Sequence, residues 1–422
     1  MKRILLLDHP QFTSCTYYLW HGLRELEEQY PDELMVTVYP FIPTHYDEMS
    51  FKLSNLPWFN WLSELVKAWK KYPAALPFGI PPFQESETLT SLDTIEIKRN
   101  ETTPRLFHQR NLMQDEETVV KRLREHWFDL IILGNSHRVP TILLAMLKKR
   151  MGTTMPPIVY LDAGERDELN EHWIHAFRPD VVFKQILTPE VKARGLTTLI
   201  PGYSLKMYPL PLSSPIVDQN LEYFRIPIQW LRSFSNCRIN PKVFPVFYHM
   251  GATWPERQAV MQALDRLVEN GRYSVGRGGS TAPYHLLLAM SKMGVSMRGS
   301  GRDTTRYWEI PLYQTALVSD GTMGCIHPYP FEDRKTAFFY RSIDELIDIV
   351  NRNQKDDREM LDVAERGQVH LKKYHSTAAR AVFFLDILDS ELRFQSGGLK
   401  EKLLEWKRDR GWEQRPWEGP VV

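Results

Sequence analysis

Gly299-Ser300-Gly301-Arg302-Asp303-Thr304-Thr305-Arg306-Tyr307-Trp308-Glu309 is the stretch on which the reading of this chain turns. It follows the apolar run Val295–Met297, which predicts a strand, and passes from a glycine-bearing loop into a helix. Such loops aim backbone N–H groups and the positive end of a helix at a point where an anion can sit. Gly299 and Gly301 allow close approach, and Arg302 and Arg306 would add charge-assisted hydrogen bonds to a diphosphate. Glu309 lies three residues beyond Arg306 on the same side of the helix, placed to accept hydrogen bonds from a ribose diol. A plain loop-to-helix junction carrying an Arg–Glu pair is the structural alternative.

Outward from this loop the pattern repeats. Upstream, the strand Val246–Met250 ends in Gly251-Ala252-Thr253, and the helix after it is well signalled. Thr253 can cap it, Glu256 sits three residues later as a capping-box partner, and Pro255 occupies the first turn, where no N–H is needed. Ala259, Val260, Ala263, Leu264, Leu267 and Val268 share one face. Gly251 and Thr253 therefore stand where a phosphate could come close, or form a simple tight turn. No G-x-G-x-x-G is present and Gly276-Arg277-Gly278-Gly279 lacks a Lys-Ser/Thr ending, so dehydrogenase and P-loop readings are weak. Downstream come strands Ala316–Ser319 and Ala337–Tyr340, then a helix opened by the capping box Ser342 and Glu345.

The first 200 or so residues show the same alternation. Ile4–Asp8, Met35–Phe41, Leu130–Gly134, Ile158–Asp162 and Val181–Phe183 are apolar on both parities, as strands covered by helices on both faces should be. An aromatic and proline-rich insertion spans about 48–115. Prolines 201, 209, 211, 215, 227 and 241 mark a connection between two such patterns. The expected fold class is α/β with two Rossmann-like domains facing across a cleft. The first domain runs over 1–204, the connection over 205–245, the second domain over 246–395, and a tail over 396–422 with Leu399, Leu403, Leu404 and Trp406 at helical spacing docks across the two.

Composition agrees with a globular protein. The chain has 422 residues, 43% hydrophobic and 25% charged, and a net charge of +1. That balance argues against a surface built to neutralise many phosphates, so a nucleic-acid partner is not expected. Cys15, Cys237 and Cys325 are widely spaced and odd in number, a poor disulfide or metal framework, which suits a reducing cytoplasm. The apolar run Ile4–Leu7 is cut short by Asp8 and His9, so it reads as a strand and not as a leader peptide. No stretch approaches the length of a membrane span, which leaves peripheral membrane contact at most.

Groups suited to proton transfer cluster at the strand ends of the first domain, where open α/β sheets bind ligands. Asp162 and Glu165, in the acidic run after Ile158–Leu161, could take a proton from a hydroxyl, or could cap the next helix. His9 ends the first strand with an imidazole suited to the same work. His137, after Gly134-Asn135-Ser136 at the next strand end, could line the same side of the sheet. His172 and His175 share a helical face without a third ligand, so no metal site is expected. In the insertion, Trp58, Trp61, Leu62, Leu65, Val66 and Trp69 form a stripe with Lys67, Lys70 and Lys71 beside it: domain core, or an interfacial helix.

The series Arg306-Tyr307-Trp308-Glu309-Ile310-Pro311, Leu317-Val318-Ser319-Asp320, Pro330-Phe331-Glu332-Asp333, Tyr340 with Ser342-Ile343-Asp344-Glu345-Leu346, and His375-Ser376 with Arg380 resembles the C-terminal domain of the CgeB-like glycosyltransferases. The resemblance covers about 246–390 and implies the two-domain GT-B architecture. It further implies a nucleotide-sugar donor in the second domain, with Glu309 on the ribose, Arg306 near the phosphates, and Ser291-Lys292 in the helix before the glycine loop. In some members of the GT-B group the loop matching His9 carries the general base. The implied activity is metal-independent sugar transfer to an unidentified acceptor, with no cofactor beyond the donor itself. A nucleotide-sugar epimerase of the same fold and a non-catalytic binding protein are the alternatives.

Overall fold

The structure is a computed structural model that describes residues 1–7, 14–39, 116–135, 144, 147–149, 151, 155–164, 167–197, 200–213, 242, 244–250, 254–269, 274–275, 287–299, 301–321, 324–395 and 397–412. Its first half runs β1 (Lys2–Leu7), α1 (Ser14–Gln29), β2 (Leu34–Tyr39), α2 (Glu116–Arg124), β3 (Leu130–Asn135), β4 (Ile158–Asp162), α3 (Glu171–Phe177), β5 (Val181–Lys184), α4 (Pro189–Arg194) and β6 (Met207–Pro209). The six strands form one parallel sheet in the order β2-β1-β3-β4-β5-β6. Side chains alternate across it with period two. Ile4, Leu6, Leu130, Ile132, Val159 and Leu161 enter one core, while Leu5, Leu7, Ile131, Leu133, Ile158 and Tyr160 enter the other. That explains why these runs lack a polar parity. β6 lies inside the proline-marked stretch 205–245, and as the edge strand it accommodates Pro209 without losing a ladder bond.

The second half contains β7 (Phe244–Tyr248), α5 (Pro255–Glu269), β8 (Ser274–Val275), β9 (Ser291–Ser296), α6 (Thr305–Leu312), β10 (Ala316–Asp320), β11 (Phe338–Tyr340), α7 (Ile343–Lys355), α8 (Arg358–Tyr374), α9 (Thr377–Leu392) and α10 (Gly397–Asp409). Its parallel sheet has the order β11-β10-β9-β7-β8. Ser291 and Lys292, expected in a helix, instead open β9. The helical turn before them ends at Ala289, three residues short of Lys292, and the Ser291 hydroxyl donates to Leu287 O at 2.6 Å. Lys242 secures this junction: its buried ammonium donates to Ala289 O, to Tyr313 O at 2.7 Å and to Thr315 Oγ1 at 3.3 Å. Three acceptors satisfy the three donors of an otherwise costly buried charge. The cap expected at Ser342 forms, with its Oγ accepting from Glu345 N at 3.2 Å.

α9 ties the two halves together. It is apolar on nearly all sides because it is enclosed, and it packs on α1 so tightly that a Cβ at Gly22 would sit 1.9 Å from Thr377 O. Phe384 meets Phe183 of β5 with ring centroids 4.7 Å apart. Lys206 pairs with Glu391 at 3.0 Å. Through α9, and through Tyr307 and Trp308 of α6, one apolar cluster runs from β1 to Phe247 and Leu317 of the second sheet. α10 buries Leu399, Leu403 and Trp406 while Leu404 stays exposed. Beyond it Trp412 donates to the Tyr329 hydroxyl at 2.8 Å.

Candidate functional site

The loop between β9 and α6 turns sharply, with Gly299 N donating to Gly301 O at 2.8 Å. α5 braces it from beside. Arg257 Nε donates to Arg298 O at 2.7 Å and its NH2 to Met297 O at 3.0 Å. A Cβ on Gly299 would lie 3.2 Å from that same NH2, so a side chain there would crowd the guanidinium by a few tenths of an ångström. Trp254 Nε1 donates to Gly299 O at 3.0 Å. Asp320, at the end of β10, accepts from Arg298 N at 3.4 Å.

Arg306 occupies the first turn of α6 and is half-buried. One of its terminal nitrogens is buried and has no hydrogen-bond partner among the described residues. Burial, and then the like charge of Arg306, pull the Arg257 guanidinium below its ordinary range, with Asp320 opposing. Two guanidinium groups thus converge at the start of a helix with one donor unspent. Such a donor is chemically complementary to an anion. Glu309 stands one turn further along α6, half-buried.

Arg302 takes a different direction. Its Nε lies 2.9 Å and its NH2 2.7 Å from Asp167 Oδ2, across in the first domain, and that hydrogen bonding raises its pKa. The neighbouring Asp303 is enclosed, accepting from Leu212 N at 2.6 Å and Trp308 Nε1 at 2.7 Å. Burial pushes its carboxyl up to about 6 despite these bonds. Ile326 N donates to Leu187 O at 2.7 Å. The glycine loop and the segment after β10 are therefore seated on the strand ends of the first sheet.

On that sheet Asp162 is buried and engaged. Lys184, wholly enclosed, lies 3.3 Å away, and Gly164 N and Asn170 N each donate to the carboxylate at 3.2 Å. Both oxygens are committed to holding the loop after β4. His9, His137, Glu165, Gly251 and Thr253 lie outside the described residues, as do the tryptophan stripe of the insertion and the 276–279 glycines. The structure thus brings together Gly299, Gly301 and Arg306, keeps Glu309 a turn away, and turns Arg302 toward Asp167. Sequence reasoning missed Arg257, although a signal was there: it shares the helix face of Val260, Met261 and Leu264, and a charge on an apolar stripe needs a partner. It also missed Asp167, for which the acidic run gave no distinguishing mark.

Among the described residues no group of three His, Cys, Asp or Glu side chains could hold a metal ion. No described helix is long and apolar enough to cross a membrane.

Two parallel Rossmann-like sheets meeting at their carboxyl edges define the class, that of the GT-B fold. Residues 232–386 match the family described as glycosyl transferase-like, and the CgeB-like series from Arg306 to Arg380 falls within the matched stretch. A glycosyltransferase from Rickettsia africae ESF-5 shares 9% identity over 93% of this chain and 98% of its own, with a TM-score of 0.52. HepE of Anabaena in complex with UDP and glucose has 14% identity over 92% and 100%, with a TM-score of 0.47. A mutant of S. aureus TarM in complex with fondaparinux, alpha-GlcNAc-glycerol and UDP has 12% identity over 92% and 100%, with a TM-score of 0.48. No curated protein matches the chain in sequence.

Proposed function

We propose that the chain is a glycosyltransferase that moves a sugar from a nucleotide-sugar donor to an acceptor hydroxyl without a metal ion. The observation that carries this reading is the unspent guanidinium nitrogen of Arg306, beside Arg257 and the glycine loop, at the start of α6. In this reading the donor diphosphate lies against Gly299, Gly301 and Arg306, with Gly251 and Thr253 as further donor-binding residues. Glu309 holds the ribose. Preorganised guanidinium and backbone donors stabilise the departing nucleoside diphosphate, the work a divalent cation does elsewhere.

The acceptor faces the first domain. His9 or Glu165 takes its proton, with His137 lining the same side. Asp162 is engaged by Lys184 and so is better suited to holding the loop after β4 than to acting as a base. Arg302 joins the domains at Asp167 and contributes little to phosphate binding.

The test is a thermal-shift panel of nucleoside diphosphates and their sugar conjugates, followed by turnover with and without chelator. A ligand present at 100 times its Kd should stabilise the protein by about 2.7 kcal/mol. Absence of any stabilisation would count against the reading. Epimer formation without acceptor would favour an epimerase, and binding without turnover a non-catalytic protein.

A further inference from the structure

Asp303, Leu212, Arg380 and Trp308, all enclosed, close a ring of contacts behind the glycine loop. Asp303 Oδ2 accepts from Leu212 N at 2.6 Å and its Oδ1 from Trp308 Nε1 at 2.7 Å. The Arg380 guanidinium lies over the Trp308 ring, 5.1 Å from its centroid, and its NH2 donates to Leu212 O at 3.4 Å. Leu212 is thus gripped at its N–H by a carboxylate and at its C=O by a guanidinium. The same NH2 meets His375 Nδ1 at 2.8 Å, so that imidazole accepts there and donates from Nε2 to Tyr329 O at 2.7 Å, which fixes the guanidinium in place. A buried guanidinium is costly without an opposing charge, and Asp303 does most to offset its burial.

The ring crosses the boundary between the domains twice. Leu212 follows β6 of the first sheet, tied there by Leu210 N, which donates to Lys184 O at 2.9 Å. Arg380 sits on α9, the helix pressed against α1 at Gly22 and Thr377. Asp303 and Trp308 belong instead to the loop and helix that carry Arg306 and Glu309. Turning one domain on the other therefore breaks a charge-assisted hydrogen bond and a cation–π contact together. We infer that Asp303 and Arg380 are positioning residues that lock α6 at a fixed angle to the first domain, so that a donor on α6 is aligned with an acceptor across the cleft. The alignment of substrates rests on the donor-site reading above; the lock itself does not.

The lock can be read on the full chain without ligand, by small-angle X-ray scattering across pH. Burial raises the Asp303 carboxyl to about 6. The titratable groups in electrostatic contact with it are Arg380 of α9, Tyr307 of α6 and Cys325 after β10; burial raises both Tyr307 and Cys325, the thiol to about 12, and Arg380 stays charged. The pair-distance distribution of the unsubstituted protein should therefore widen as pH falls through about 6, when Asp303 takes up a proton. Asp303→Asn should be wide at every pH and Arg380→Met should be wide at neutral pH, and Trp308→Phe, which keeps a ring for the guanidinium, should lie between. Both charge variants should keep the affinity for UDP, GDP and ADP within about threefold and release glucose from the glucose conjugates about 10²-fold more slowly, the scale of a displaced substrate. Scattering that answers neither to pH nor to substitution would overturn the lock, and the pH series decides it even if a variant fails to fold. Nucleotide affinity that falls in step with glucose release, or release that is unchanged, would overturn the positioning role. If the unsubstituted protein binds or cleaves none of these nucleotides, the donor-site reading fails while the scattering still decides the lock.

Discussion

Arg306, in the first turn of α6, keeps one buried nitrogen without a hydrogen-bond partner among the described residues, and an unspent buried donor costs about 1–3 kcal/mol. Arg306→Ala should therefore weaken nucleoside-diphosphate binding by about 1.5–3 kcal/mol, because a charged hydrogen bond is lost, while leaving the thermal midpoint of the free protein unchanged or slightly raised. Unaltered calorimetric affinity would remove Arg306 from the donor site. The buried histidines make a second residue-scale prediction. Burial lowers His327 to about 3 and His21 to about 4, and holds His375 well below the ordinary range, with Arg380 opposing further protonation of His327 and His375. Between about pH 6.5 and those values the unfolded chain binds protons that the folded one refuses, so stability falls as pH falls, by up to about 1.4 kcal/mol per pH unit for each histidine. Asp303, raised to about 6, acts in the opposite sense between about pH 4 and 6, since it holds a proton only when folded. Three histidines outweigh Asp303 and Asp386, the second carboxyl that burial raises, and net acid lability is expected. His327→Gln should make the urea-unfolding free energy fall less steeply below pH 6.5, and an unchanged slope would show that His327 protonates freely in the native state.

At the scale of elements, much of the architecture was legible. Apolar runs without a polar parity became the inner strands, because both faces of each sheet are covered, and the capping box at Ser342 began α7 where expected. The passage from strand through glycine loop into helix at Gly299–Arg306 was legible because it has a local cause in the sequence. The pairing of Arg302 with Asp167 was not legible because the two are 135 residues apart in sequence, and spacing carries no information about a contact made across domains. The two-residue strand β8 and the edge strand β6 were missed for a related reason, since neither is long enough to show a period. The same limit hid the approach of α1 and α9. Gly22 was not singled out, yet it lets the two helices touch backbone to backbone. Gly22→Ala should destabilise the protein by about 3 kcal/mol through overpacking, since a carbonyl in a helix cannot step aside as a side-chain tip can. Equilibrium urea unfolding measures it, and a loss below about 0.5 kcal/mol, the size of an ordinary surface change, would mean that the helices separate at little cost.

For the molecule as a whole, the contacts between domains are polar at the cleft and apolar behind it. Asp303 accepts from Leu212 N, Ile326 bonds to Leu187, and Arg302 reaches Asp167. The Arg302–Asp167 pair is partly exposed, so it contributes at most about 1 kcal/mol to stability. Arg302→Ala should leave nucleoside-diphosphate affinity within about twofold, where a lost phosphate contact would cost about 1.5–3 kcal/mol. A double-mutant cycle with Asp167→Asn, read by unfolding, should give coupling of up to about 1 kcal/mol, and a large loss of nucleotide affinity in Arg302→Ala would return that residue to the phosphates. The placement of α9 has a consequence for how the protein is made. A ribosome releases the first sheet long before residues 377–392 exist, at about 5–20 residues per second. Until α9 arrives, the face formed by Gly22, Phe183 and their neighbours has no cover. The N-terminal domain is therefore committed to waiting until α9 has been synthesised, and a nascent or prematurely terminated chain would present that bare surface to holdase chaperones, whatever the stability of the finished protein.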